Sequence, residues 1–271
     1  MKATVLVDNI QNNSLKGEWG LSIYIEYGDE KILLDVGASN LFAKNADKLG
    51  ISLKDIDYAV LSHAHYDHAN GMRSFFQVNE KARFYVQSTC AENCYFKKWI
   101  FSKYIGIPKG ILEEYSDRIE YALGNNQIAD GVSLIPHSTE GLDAIVRRES
   151  MYQKGKSSWM PDDFSHEQSL VFDTSDGLVI FNSCSHGGAV NIINEVASAF
   201  PDKKVAALIG GFHLYNKSES EVRELAVRIK ETGIQYICTG HCTGEKAYQI
   251  LKEELGDIAH QLKVGKIIEF E

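Results

Sequence analysis

The chain has 271 residues, 44% of them hydrophobic, and a formal net charge of −9. This supports a sizeable core in a single domain over residues 1–271, and the acidic balance argues against nucleic acid as a partner. No apolar stretch approaches the roughly 20 residues needed to span a bilayer, and residues 1–8 turn polar too soon for a signal peptide, so a cytoplasmic protein without a membrane partner is expected.

Residues 4–7, 21–27 and 31–35 read as short strands, with Gly28-Asp29-Glu30 as the hairpin turn between the last two. Residues 9–20 are polar and turn-rich and read as a loop. A helix is expected over 41–49, stopped by Gly50, and Ser52-Leu53-Lys54-Asp55 has a capping-box pattern. The apolar run 58–61 reads as a buried strand, a helix follows from Gly71, and 83–86 is another strand. Between about 90 and 167 the periodicity weakens, and aromatic and basic residues accumulate. This stretch reads as a lid-like variable insertion, with a core strand at 132–135 inside it. Regularity then returns: a hairpin of 169–173 and 178–181, a helix over 189–200 and a strand at 205–209. Ser218 and Glu221 open a helix that carries Val222, Leu225, Ala226 and Ile229 and stops at Gly233. A strand at 236–239 precedes a helix capped by Thr243, and 266–270 closes the chain as a strand. Two packed sheets with helices outside each would satisfy these one-sided elements.

The strand 58–61 delivers His63-Ala64-His65-Tyr66-Asp67-His68, four potential metal ligands within six residues. Imidazole and carboxylate suit zinc, manganese or ferrous iron better than a soft ion. Alternate residues on a loop leaving a strand project the same way. His63 and His65 can therefore chelate one ion, while Asp67 and His68 turn toward a second. The five cysteines include two C-x-x-x-C pairs, Cys90/Cys94 and Cys238/Cys242, which lack the usual C-x-x-C spacing and read as reduced thiols. Cys238 and Cys242 bracket His241, so one of them can touch the surroundings of a metal.

With its flanking motifs, this hexad resembles the signature of the metallo-β-lactamase superfamily. Leu33-Leu34-Asp35-Val36-Gly37 resembles the family's first motif, whose aspartate buttresses the ligand loop, and Tyr236-Ile237-Cys238-Thr239-Gly240-His241 resembles its last. The segment 181–188, with Gly210-Gly211-Phe212-His213-Leu214, is similar to one branch of the superfamily. That branch is described as related to a pterin-ribofuranosyl-aminobenzene phosphate synthase, or as metal-dependent hydrolases. The resemblance implies an α/β four-layer αββα sandwich with two mixed sheets and a dinuclear site. His241 would complete the second ion's ligands, and His186 the first ion's, with His166 and then His137 as alternatives. Cys184 stands where most members place a bridging aspartate, and is either a thiolate ligand or a buried free cysteine. Asp67 would also hold or move a proton, and His213 would be a general acid, a substrate contact or a structural histidine. Trp19 is either a substrate contact or a core residue, and His260 is expected to be exposed near a helix end.

The expected activity is hydrolysis of a small-molecule ester, lactone, thioester or phosphodiester by water acidified on two divalent ions, zinc first, with manganese or iron as alternatives. A synthase acting on a phosphorylated pterin or ribosyl substrate is the alternative, and a di-iron redox protein ranks behind both. Lys154, Lys156, Arg147 and Arg148 are candidate phosphate contacts. A homo-oligomer is compatible with the sequence.

Overall fold

A computed structural model describes residues 1–12, 14–137, 142 and 149–271. Two seven-stranded mixed sheets form its centre. The first runs Ile267–Glu269, Lys2–Val7, Ser22–Tyr27, Glu30–Leu34, Tyr58–Val60, Arg83–Gln87, Ile119–Ala122. The second runs Ala259–Gln261, Tyr236–Thr239, Val205–Gly210, Gly177–Phe181, Gln168–Thr174, Val132–Pro136, Asn126–Ala129.

The two-residue period of a strand decides which layer each side chain joins. Val5, Ile23, Ile25, Ile32, Leu34 and Val60 of the first sheet face Leu134, Leu170, Phe172, Val179, Phe181 and Ile209 of the second, in one buried cluster. Their neighbours Leu6, Tyr24, Leu33, Ala59 and Phe84 turn outward onto Phe42 and Ala46 of the helix Leu41–Lys48 and onto Met72, Phe75 and Phe76 of the helix Met72–Val78. On the other side, Val171, Leu178, Ile180, Leu208 and Ile237 pack beneath the helices Ala189–Ala199, Glu219–Glu231 and Glu245–Leu255. The result is the αββα order of layers. Each fully buried Ile, Leu or Phe contributes about 1.5–3 kcal/mol to holding it.

Both sheets switch from antiparallel to parallel pairing within their run. Glu30–Leu34 pairs in parallel with Tyr58–Val60. Gly177–Phe181, Val205–Gly210 and Tyr236–Thr239 are likewise parallel neighbours. Open α/β sheets bind ligands outside the carboxyl ends of such strands. Asp35, the hexad, Cys184, His186, His213 and His241 all follow those ends.

One local expectation at the helix starts holds, and others need correction. Ser218 makes the full capping box with Glu221. Ser52 makes no cap bond. The helix Glu245–Leu255 starts on Gly244. Thr243 instead shares a hydrogen bond with Thr239 and accepts one from the Phe212 amide. His260 lies half-buried on the strand Ala259–Gln261, stacked on Tyr236 at 4.3 Å.

The stretch 90–167 is divided. Ile119–Ala122 edges the first sheet, while Asn126–Ala129 and Val132–Pro136 belong to the second. Only Cys94–Lys98, Phe101–Tyr104, Met151–Lys154 and Trp159–Pro161 form a separate four-stranded sheet. Its exit strap grips the ligand loop: His65 bridges Gly106, and the Tyr66 amide donates to the Ile105 carbonyl.

Candidate metal centre

The centre starts from Asp35, a fully buried carboxylate in the left-handed region at φ 56°. That conformation is costly for a residue other than glycine and aims the side chain under the ligand loop. Asp35 Oδ1 accepts the Ser62 amide at 2.8 Å. Its Oδ2 accepts the Ser62 hydroxyl at 2.7 Å and His68 Nδ1 at 2.7 Å. Because Ser62 gives its one hydrogen to Asp35, the contact of 2.9 Å between Ser62 Oγ and His63 Nδ1 makes His63 the donor. One carboxylate thus sets the tautomer of two histidines, and each keeps a free lone pair on Nε2. Gly71 lets this loop close: a Cβ there would lie 2.1 Å from the Val36 carbonyl oxygen.

His241 reaches the same state from the other sheet. Its Nδ1 donates to Asn9 Oδ1 at 3.0 Å, and Asn9 Nδ2 returns a bond to the His241 carbonyl. The His241 amide is held by Asp8 Oδ2 at 2.9 Å. Burial pushes the Asp8 carboxyl up to about 7.

These supports bring two candidate ligand sets together. Nε2 of His63, His65 and His186 are buried without a hydrogen-bond partner among the described residues, and the three side chains' ligand atoms lie within 4.8 Å of one another. In the second set, His68 Nε2 faces His241 Nε2 at 3.2 Å. Asp67 Oδ2 lies 3.5 Å from His241 Nε2 and 3.7 Å from His68 Nε2, and Cys184 Sγ is 3.4 Å from His68 Nε2. With both Nδ1 atoms protonated, the two Nε2 atoms repel unless a proton on His68 or a metal cation lies between them. Ligand nitrogens about 2.0 Å from a tetrahedral zinc stand about 3.3 Å apart, so the donor set fits a divalent ion.

Electrostatics agree. Burial and the neighbouring imidazoles hold His63 and His186 well below the usual histidine range. Burial takes His65 and His241 down to about 3. All four are neutral near pH 7, the form that binds metal. Burial also opposes charge on His68, but Asp67 and Asp35 outweigh it and raise that group.

His137 stands apart from both sets; His166 lies beside the first, its ligand atom within 4.8 Å of those of His65, Cys94 and Asp162, but its ring nitrogens are engaged by protein groups. His166 Nδ1 accepts the Ala64 amide at 3.1 Å, so its Nε2 carries the hydrogen, which points at Asp162 Oδ2 (3.3 Å) and Cys94 Sγ (3.6 Å). It supports the backbone between His63 and His65. Both nitrogens of His137 are engaged, by Glu195 and Ser169. Cys238 lies in the core between the sheets. Cys242 Sγ is 3.4 Å from Cys184 Sγ, beside the second ligand set.

His213 sits at the rim, at φ 49°, its ring centroid 4.5 Å from that of His186. Nε2 meets Glu149 Oε2 at 2.6 Å, and Lys217 Nζ meets Glu149 Oε1 at 2.6 Å. Burial opposes charge on His213, yet Cys242 and the Glu149 carboxylate raise it to about 10. Burial likewise opposes charge on Glu149, and His213 and Lys217 bring it down to about 2. A raised histidine stabilises fully below its unfolded pKa of about 6.5, and that contribution fades as pH rises through about 10. A depressed glutamate stabilises above about 4.5 and fades as pH falls toward about 2. The stability gap between wild type and Glu149→Gln, measured by urea denaturation, is therefore expected to be largest between about pH 4.5 and 6.5 and to shrink on either side.

Trp19 is 46% exposed and packs on His241 and Tyr215, at the rim of the centre and outside the core. Lys154 and Lys156 are exposed on or beside the third sheet. Arg147 and Arg148 lie outside the described residues. Sequence reasoning missed Asp8, Asn9, Ser62, Glu149 and Glu167. Asp8 carries the one legible signal, an aspartate ending an apolar strand as Asp35 does. Glu167 accepts the His186 and Gly187 amides, which no local pattern announces.

Layers and ligand loops of this kind define a metallo-hydrolase fold. Residues 20–173 match the family model of the metallo-beta-lactamase superfamily, and the chain belongs to that superfamily. The 7,8-dihydropterin-6-methyl-4-(beta-D-ribofuranosyl)-aminobenzene-5'-phosphate synthase of Methanocaldococcus jannaschii is 27% identical over 277 residues, covering 96% of this chain and 92% of the relative. The crystal structure of Tm1679, titled a metal-dependent hydrolase of the beta-lactamase superfamily, superposes with a TM-score of 0.84 at 29% identity, covering 100% of this chain and 99% of that one. Zn(2+)-bound PqqB from Methylobacterium extorquens shares the fold at 11% identity and a TM-score of 0.60, covering 100% of both chains. No helix among the described residues is long and apolar enough to cross a membrane.

Proposed function

We propose that the chain is a metal-dependent hydrolase of small-molecule esters, lactones, thioesters or phosphodiesters. The observation that carries this reading is the buried, partnerless Nε2 trio of His63, His65 and His186 beside the facing Nε2 pair of His68 and His241. His63, His65 and His186 would hold one divalent ion. Asp67, His68 and His241 would hold a second, with Cys184 beside it. Zinc suits this set best, and such ions supply Lewis acidity and a water acidified to a pKa of about 7.

The chain's own residues do the rest. Asp67, facing both second-site imidazoles, orients the attacking water and accepts its proton. His213, steadied by Glu149, gives a proton to the leaving group from Nδ1, a buried atom with no other partner. Trp19 and Tyr215 wall the entrance over His241 and exclude water from the bound substrate. The five free, buried cysteines suit a reducing compartment such as the cytoplasm.

The likeness to the M. jannaschii synthase over nearly all of both chains favours a second reading, in which the same centre serves a synthase on a phosphorylated pterin or ribosyl substrate. Zinc-loaded protein should be assayed against phosphodiesters, lactones and thioesters, and in parallel for condensation of phosphoribosyl compounds. Hydrolysis of at least one ester class, lost with a chelator and restored by zinc, is expected. Condensation without any hydrolysis would overturn the first reading in favour of the second.

A further inference from the structure

A cleft of about 200 Å³ opens beside the centre and shares His186 and His213 with it. One wall is the start of the 11-residue helix Ala189–Ala199. No side chain among the described residues caps that helix, and its first turn carries no acid. Its first amides therefore present partial positive charge to the cleft. Ser185 lies in the same wall, in the left-handed region at φ 51°, only 2% exposed. Its hydroxyl has no hydrogen-bond partner among the described residues. A buried hydroxyl left unpaired is costly, and this one belongs to a residue that lines the cleft.

The carboxylates around the cleft are already engaged. Glu149 is taken by His213 and Lys217. Glu221 Oε2 accepts the Ser218 amide and hydroxyl at 2.8 and 2.7 Å. Glu167, behind the wall, holds the His186 and Gly187 amides. Arg228 lines the cleft, exposed, with no acidic partner among the described residues. Apart from the His186 lone pair, which belongs to the metal centre, what remains open among the described residues is donor or cation: helix amides, a hydroxyl and a guanidinium. A cationic group would be repelled here and a neutral acceptor would leave the guanidinium charge unbalanced, whereas an oxyanion answers both the donors and the charge.

We propose that the cleft between Ser185, the start of the helix Ala189–Ala199 and Arg228 is an oxyanion subsite that seats an anionic group of the substrate, a phosphate ester or a carboxylate, next to the bond cleaved at the metal centre. The role within a substrate rests on the hydrolase reading; the binding of an oxyanion does not. A remote charge held here would orient the scissile group over His186.

The test uses zinc-loaded protein and two probes, inorganic phosphate and acetate, titrated calorimetrically, with tungstate soaked into crystals to locate the anion. Ser185→Gly removes the hydroxyl and suits the left-handed backbone, so loss of folding does not confuse the result. Arg228→Gln removes the exposed charge. A tungsten peak within hydrogen-bond distance of Ser185 Oγ is expected, with phosphate binding weakened about tenfold in each variant. Tighter binding of phosphate than of acetate assigns a phosphate ester, and the reverse a carboxylate. Tungsten found only among the metal-site histidines, or phosphate affinity unchanged in both variants, overturns the subsite. A protein that seats tungstate in the cleft yet hydrolyses nothing overturns the hydrolase reading and leaves the subsite standing.

Discussion

Replacing His186 by alanine is expected to remove one bound metal ion per chain and to lower hydrolysis by more than about a hundredfold, whereas His166→Asn keeps both ions. Loss of a supporting group around a metal typically costs 10–100-fold in affinity or activity, and loss of a ligand costs more. The two histidines differ in what their nitrogens do. His186 Nε2 is buried and unpaired. His166 Nδ1 accepts the Ala64 amide, so its Nε2 holds a hydrogen and has no lone pair to give. Asparagine at 166 can place an oxygen near the Nδ1 position and keep the Ala64 bond. Metal content by plasma mass spectrometry after dialysis decides the matter. A His166→Asn protein that has lost an ion, beside a His186→Ala protein that retains two, would reverse the assignment.

The second large effect is expected at Asp35. Asp35→Asn keeps the size and tolerates φ 56°, so the backbone is not the cause of any loss. The Oδ2 position becomes either an amide nitrogen, facing the Ser62 hydroxyl and His68 Nδ1–H donor to donor, or an uncharged oxygen that binds both more weakly. Metal affinity should fall about 10–100-fold. In chelator-treated protein the same change should cost about 3 kcal/mol of unfolding free energy. The cost depends on pH in a stated direction. His68 is raised above its unfolded value, so its pairing with Asp35 stabilises fully below about pH 6.5 and fades as pH climbs through the folded value. Urea titrations of chelated wild type and Asp35→Asn should therefore converge toward alkaline pH. A gap that widens there would count against the ion-pair account.

The parts of the centre that are readable in one dimension are those whose residues are neighbours in the chain. His63, His65, Asp67 and His68 share one loop, and the spacing of a strand exit already separates them into two sets. Asp35 and His241 are readable because each ends an apolar run within a recognisable motif. His186 against His166 is not decidable that way. Both follow or precede strands of the second sheet, and only the Ala64 amide, 102 residues from His166, gives the latter its tautomer. Glu149 is invisible for the same reason, since its partner His213 lies 64 residues away. The stretch 90–167 reads as one insertion because its strands are short and interrupted. The core strand read at 132–135 does join the second sheet, and two unread strands, Ile119–Ala122 and Asn126–Ala129, also complete the main sheets, where hydrogen bonds to neighbouring strands override weak local pattern.

By itself, then, the order of residues pointed to the packed layers and to a loop of candidate ligands. Alternation of apolar side chains and the chemistry of adjacent donors act over a few positions, and need no knowledge of what lies across the molecule. Packing of the two halves settled everything that depends on a partner far along the chain. That includes which ring nitrogens carry hydrogens, which histidines keep a free lone pair, and which carboxylates are already neutralised. Those are properties of hydrogen bonds, and a hydrogen bond exists only once both of its ends have been brought to within about 3 Å.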